Sequence, residues 1–308
     1  MSDLRQLLDA CRLCPRRCGA RRNAGEKGFC GAADELRVAR AALHFWEEPP
    51  ISGKAGSGTV FFSHCSLKCV YCQNAEISHA ARGKDIDPGH LARIFLALSE
   101  EGARNINLVT PTHYAVQIIE ALDLARKAGL RLPVIYNTAG YELPQTLELL
   151  DGYVPVFLTD FKYWDKYWGK RYSQVPDYVE RAQEALDAMV AQAGSLRFEA
   201  ECEGDSEMLL TAGVVIRHML LPGRLDDAKA IVGYVHERYG NDVALSLMSQ
   251  YTPMPGNARY PELGTAVDQD EYEALLDYAD TIGVDSYFWQ EGSPASESFI
   301  PPFDGTGV

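Results

Sequence analysis

Residues 59–74 read TVFFSHCSLKCVYCQN. An apolar run of strand length opens the segment, and a loop follows in which Cys65, Cys69 and Cys72 are spaced C-x3-C-x2-C. Three thiols so close together, without a nearby fourth, suit a [4Fe-4S] cluster with three irons tied to protein and one left free. The free iron can bind a small molecule directly. A structural zinc site wants a fourth ligand, which His64 or His79 could supply. Tyr71, just before the last cysteine, is placed either to lay its ring beside a cofactor or to fill a packed core.

Outward from this loop, a strand-then-helix rhythm runs down the chain. Strands are expected at 59–63, 105–109, 133–137, 154–160, 214–220 and 243–248, each a short run of Val, Ile and Leu as in strands buried on both faces. Helices are expected at 88–101, 114–128, 143–150, 177–193, 226–238 and 269–282. The second carries an apolar stripe through Val116, Ile119 or Ala121, and Leu122 to Leu124, with Gly129 as its stop. Six strands alternating with six helices imply an α/β fold with a parallel sheet and right-handed crossovers. Six units fall short of a closed eightfold barrel, so a partial (β/α)6 TIM-like barrel is expected. It should span 59–283, behind a cysteine-rich, metal-binding extension and connector at 1–58 and ahead of a C-terminal strap at 284–308. The long, weakly periodic stretch 194–213 reads as a lid.

The chain has 308 residues, 46% hydrophobic and 23% charged, which excludes disorder and coiled coil as the main state. Lys and Arg number 29 against 43 Asp and Glu, and the net charge of -14 argues against a nucleic-acid binder. No apolar stretch is long enough to span a bilayer, and the N-terminus lacks the order of a signal peptide, so no membrane role and a cytoplasmic location are expected. Reduced thiols belong in that compartment. Seven of the eight cysteines fall in two clusters within the first quarter of the chain, which is metal spacing and not a disulfide framework.

The first of those clusters, Cys11, Cys14, Cys18 and Cys30, has the spacing C-x2-C-x3-C-x11-C. Four thiolates make a complete set for a second metal site, either Zn or [4Fe-4S]. Arg12, Arg16, Arg17, Arg21 and Arg22 surround it and would neutralise either. Cys202 reads as a lone thiol on a variable loop. Arg217 sits inside the apolar strand VIRHML, and a buried guanidinium demands an anion, from protein or from a cofactor. Asp160 and Lys162 share one face of their strand end and can point inward together.

The cysteine motif, with an aromatic residue before its third cysteine and placed in the first loop of such a barrel, resembles the radical S-adenosylmethionine superfamily. The wider chain looks like the branch of pyruvate formate-lyase activating enzyme. CSLKCVYCQN carries the resemblance, Asn74 matching a Cys-x-Asn ending, together with VTPTHY (109–114), YNTAGYE (136–142), TDFKYWD (159–165), VIRHMLLPG (215–223) and LSLMSQY (245–251). CRLCPRRCG and HFWEEPPISG look like an uncharacterised subgroup of activating-enzyme-like proteins.

The resemblance implies a cluster on Cys65, Cys69 and Cys72 whose open iron is chelated by the methionine end of S-adenosylmethionine. One electron then yields a 5'-deoxyadenosyl radical that abstracts hydrogen from a substrate. Asp160 and Lys162 match the step that contacts the methionine end, or else form a structural ion pair. Asn137, Thr138 and Gln250 are expected at ribose or adenine, or as fillers of the barrel mouth. Where the family carries Gly-Gly-Glu this chain has VTPTH, so Thr110 and Thr112 stand in for the amino-group contact. His113 handles protons or caps the next helix. Implied partners are a low-potential donor such as flavodoxin or ferredoxin and, for an activase, a glycyl radical enzyme. The alternative is modification of a peptide, a protein side chain or a small metabolite.

Overall fold

The structure, a computed structural model, describes residues 2–200, 208–253, 258–290 and 300–308. Among them lie strands β1 (Leu36–His44), β2 (Ser57–Phe62), β3 (Lys84–Ile86), β4 (Ile106–Val109) and β5 (Val134–Thr138). β6 (Val156–Asp160), β7 (Arg197–Ala200), β8 (Met208–Met219), β9 (Ala244–Met248) and β10 (Tyr287–Trp289) follow. They pair in the order β10-β9-β8-β6-β5-β4-β2-β1-β3, with β7 attached to β8 off this path. From β2 through β10 the neighbours on that path are parallel. The sheet is not closed: β10 is one edge and β3 the other.

The six expected strands are β2, β4, β5, β6, β8 and β9, and all residues of β2, β4 and β5 are buried. The longer expected helices form as Pro88–Glu100, Ala115–Lys127, Tyr178–Ala193, Leu225–Tyr239 and Gln269–Ile282, and the short one as Pro144–Glu148. A parallel pair needs a crossover, and these amphipathic helices supply it while covering the sheet's outer face. Leu124 departs from its expected place in the apolar stripe and is 44% exposed, because Ile118, Ala121, Leu122 and Ala125 make the buried face.

Four strands were not marked by the rhythm. LRVARAALH, expected as part of the head, forms β1 and runs antiparallel along β2, with a register shift between Val38 and Arg40. Residues 197–200 and 208–212 do not make a lid over the barrel mouth. They pair as an antiparallel ribbon that runs off the N-terminal end of β8, opposite the end bearing Arg217. Residues 201–207, Cys202 among them, lie outside the described residues. The strap's described end is firmly held: Thr306 O accepts from Ala41 N, Gly305 N donates to Ala39 O, and Phe303 is buried against Phe61. No helix among the described residues is long and apolar enough to cross a membrane.

Candidate functional site

Chain direction in parallel strands puts their following loops at one end of the sheet, where side chains from distant segments converge. There Cys65, Cys69 and Cys72 line one cavity of about 180 Å³ together with Thr110, Asn137, Thr138, Asp160, Lys162, Arg217 and Gln250. Tyr71 and Asn74 line it too. The loop after β2 is strained: His64 and Lys68, neither of them glycine, hold φ of 76° and 56°. Backbone held this way turns the three sulfurs inward.

Each sulfur already accepts a hydrogen bond. Ser173 Oγ donates to Cys69 at 3.0 Å, Ser78 Oγ to Cys72 at 3.3 Å and Leu67 N to Cys65 at 3.4 Å. Burial pushes the Cys65 thiol up to about 12 and also raises Cys72. Burial thus favours the protonated form of Cys65 and Cys72, and iron bound to the sulfurs is what would displace those protons. Among the described residues no three His, Cys, Asp or Glu side chains converge as ligands of a single ion. A donor set of three spread thiols facing an open cavity fits a cluster, whose several irons separate the sulfurs, better than one zinc.

Tyr71 joins a buried set of aromatic rings, lying edge-on to Tyr163, Tyr172 and Tyr251. Its hydroxyl bonds Tyr163 at 2.7 Å, Tyr163 bonds Ser173 at 2.7 Å, and Ser173 ends the chain on Cys69. Asn74 turns its backbone carbonyl to Ile77 and Ser78, starting the short helix Ala75–Ser78.

The charged group is internally paired. Lys162 Nζ lies 2.6 Å from Asp160 Oδ2, and Arg217 reaches Asp160 at 3.1 Å, Glu47 at 3.2 Å and Asn137 Oδ1 at 2.6 Å. Burial opposes every charge here. Lys162 and Arg217 nonetheless outweigh it at Asp160, holding its carboxyl below the usual range, and Asp160 outweighs it at Lys162 and Arg217, raising both. The anion that Arg217 requires is therefore protein carboxylate, while the same three side chains still face the cavity. Gly140 makes this approach possible: φ is +76°, and a Cβ there would fall on the Asp160 carbonyl oxygen.

Thr110 lines the cavity at φ 58°, an outlier for a β-branched residue, with its N–H on Asn137 O at 2.8 Å. Thr112 does not line it. Its hydroxyl donates to Glu142 Oε1 at 2.6 Å, and Thr138 donates to the same oxygen. Glu142 is 2% exposed, its other oxygen has no hydrogen-bond partner among the described residues, and burial lifts its carboxyl to about 7 despite the two hydroxyls. His113 is no helix cap: it is buried, bonded to Ser63 O at 2.8 Å, and burial lowers it to about 3. Gln250 lines the cavity while its amide oxygen accepts from Gln290 at 3.0 Å.

Sequence reasoning quoted YNTAGYE and HFWEEPP but missed the acids inside them, Glu142, Glu47 and Glu48. The available signal was two carboxylates next to Phe45, Trp46 and two prolines. Glu47 and Glu48 enter a second cavity of about 220 Å³ that shares Asn137, Arg217, Met248 and Gln250 with the first.

The head's cysteines lie against this machinery. Arg16 donates to the Ser66, Ser173 and Gln174 carbonyls, so it braces the cysteine loop and does not screen the head's own thiols. Arg22 is fully buried on the Ala33 and His113 carbonyls and also reaches Cys11 Sγ at 3.8 Å, so it does face the head's thiols as expected, whereas Arg21 pairs with Glu26. Gly28 stands between two sulfurs: a Cβ there would lie 3.3 Å from Cys18 Sγ and 3.4 Å from Cys30 Sγ. Burial pushes Cys14 up to about 12 and raises Cys30.

With this geometry in place, comparison with known proteins adds four findings. Residues 51–155 match the family described as 4Fe-4S single cluster domain. The uncharacterized protein MJ0674 of Methanocaldococcus jannaschii is 29% identical over 285 residues, which are 89% of this chain and 75% of that protein. A radical SAM methyltransferase from Sphaerobacter thermophilus superposes with a TM-score of 0.52 at 12% identity, covering 77% of this chain and 67% of its own. Streptococcus suis SuiB bound to its precursor peptide SuiA gives 0.50 at 17% identity, over 74% of this chain but only 46% of SuiB. The chain thus has the open α/β barrel fold seen in these radical SAM structures.

Proposed function

We propose that this protein is a radical S-adenosylmethionine enzyme. The observation that carries the reading is the cavity itself, where three buried cysteine thiols share a wall with Asp160, Lys162 and Arg217. Cys65, Cys69 and Cys72 would hold a [4Fe-4S] cluster, which when bound supplies the electron that splits S-adenosylmethionine into methionine and a 5'-deoxyadenosyl radical.

The chain's own residues bind, orient and exclude. Lys162 offers an ammonium group beside the cysteine loop, and Asp160 offers the matching acceptor. Thr138 and Asn137 present a hydroxyl and an amide at the end of β5, held by Glu142 and Arg217. The Tyr71–Tyr163–Ser173 chain fixes the Cys69 sulfur and keeps water from that side. Four further thiols of the head, Cys11, Cys14, Cys18 and Cys30, would take a second metal, zinc or [4Fe-4S]. Its place against the cysteine loop supports a bracing or electron-entry role, the latter served by a low-potential donor such as flavodoxin or ferredoxin.

For the reaction, the second cavity beside the first favours hydrogen abstraction from a substrate held there. Modification of a peptide or small metabolite fits that arrangement, and activation of a glycyl radical enzyme is the second reading, favoured by the resemblance of the cysteine loop to activating enzymes. Anaerobic reconstitution followed by reduction with S-adenosylmethionine present tests the proposal: wild type should form 5'-deoxyadenosine and Cys69→Ala should not. Equal formation by both would remove the cluster from the mechanism.

A further inference from the structure

The second cavity lies between the segment after β1 and the edge strand β10. It is lined by Trp46 and Glu48, just after β1, and by Phe288 and Trp289 of β10, the far edge. Trp46 and Trp289 are 61% and 53% exposed, so they stand at its mouth. Its inner wall is shared with the cysteine cavity through Arg217 and Asn137.

The charges on that wall do not balance. Arg217 is committed to Asp160, Glu47 and Asn137, and Lys162 to Asp160. Among the described residues two cations, Lys162 and Arg217, face three acids, Asp160, Glu47 and Glu48. Glu48 alone of these has no ion pair within 4 Å, although its charge acts on Arg217, and burial raises its carboxyl as it does that of Glu47. Glu48 is 9% exposed; Ser246 bonds its carboxyl, and among the described residues its Oε2 has no hydrogen-bond partner. A buried carboxylate oxygen left unpartnered is costly, and a cavity beside it gives a partner room to arrive. Aromatic faces flanking an anion are the surroundings in which a cationic nitrogen gains most on leaving water.

We infer that this second cavity takes its substrate by an ammonium or guanidinium group, seated on Glu48 and flanked by Trp46, Phe288 and Trp289. The inference rests on the function proposed above only in calling the occupant a substrate. A lysine or arginine side chain of a peptide, or a small polyamine, carries the required group. Its neighbouring carbon atoms would then lie toward the cavity of the three cysteines.

Calorimetric titration of the anaerobically reconstituted holoprotein, with S-adenosylmethionine present, provides the test. The probes are agmatine and N-acetyl-lysine amide, with N-acetyl-norleucine amide as the uncharged match. Wild type should bind the cationic probes roughly tenfold or more tightly than the neutral one, and Glu48→Gln should erase that preference. Thermal melting establishes that the variant is folded. If it is not, Trp289→Leu at the exposed rim decides, and should weaken cationic binding several-fold. Equal binding of charged and neutral probes, no binding of either cationic probe, or an undiminished preference in the folded variants would overturn the inference. Formation of 5'-deoxyadenosine by the wild type is scored separately. Its absence with cation binding intact overturns the proposed function and leaves the cation site standing.

Discussion

Replacing Glu142 by glutamine preserves the shape and the oxygen to which Thr112 and Thr138 donate, and removes only the ionisable group. Glu142 is 2% exposed, and burial keeps its proton on to about pH 7 against an ordinary value of 4.5. An acid that holds its proton more tightly when folded makes stability fall as pH rises. Below 4.5 both states are protonated and no cost arises. Between 4.5 and 7 the unfolded chain gains by ionising while the folded protein does not follow, and above 7 the full cost is present. At about 1.4 kcal/mol per decade of pH, that gap amounts to about 3 kcal/mol. The side chain is almost wholly out of water, so solvent screening does not reduce the figure much. Urea midpoints of cluster-free wild type and Glu142→Gln, taken from about pH 4 to about pH 9, measure it. The two proteins should agree at the acid end, and the variant should lead by about 3 kcal/mol above pH 7. A constant offset across the range, or a variant that falls behind in alkali, would refute the picture of a carboxyl held neutral beneath Thr138.

Three further perturbations follow from the same site. Arg217→Met leaves Asp160 with Lys162 alone and Glu47 with no cation, and should lower stability by about 3 kcal/mol in a denaturant titration. Gly140→Ala puts a methyl on the Asp160 carbonyl oxygen at a φ of +76°, so it should cost more than about 2 kcal/mol and weaken S-adenosylmethionine binding with it. Ser173→Ala deletes the hydroxyl that bonds Cys69 at 3.0 Å; a bond of about 1 kcal/mol that favours the reduced cluster corresponds to a fall in reduction potential on the order of 40 mV, read by redox titration followed by EPR.

What could be read from sequence was whatever has a short-range signature. β2, β4, β5, β6, β8 and β9 were legible because strands buried on both faces are continuous apolar runs, and the cysteine loop because its thiols are neighbours in sequence. β3 and β10 have three residues each, too few to show a period. β1 alternates through Leu36, Val38 and Ala41, but a register shift and the surrounding arginines hid it. The identity of Arg217's anion was beyond reach for a different reason: Asp160 is 57 residues away and Glu47 170. A carboxylate looks equally polar in any sequence, and only the folded chain shows that Glu47, Glu48 and Glu142 are buried. Thr112 was misjudged on the same ground, since its partner is Glu142 and not the cavity.

In the proposed function three cysteines would leave one iron of the cluster free for the amino acid end of S-adenosylmethionine. Electron–nuclear double resonance on the reduced, reconstituted protein, with S-adenosylmethionine carrying 15N in its amino group and 17O in its carboxylate, addresses it directly. Couplings from both labels to the cluster, lost in Cys72→Ala, are the predicted result. A cluster that reduces normally yet shows neither coupling, or whose fourth iron is bound by a side chain, would contradict it.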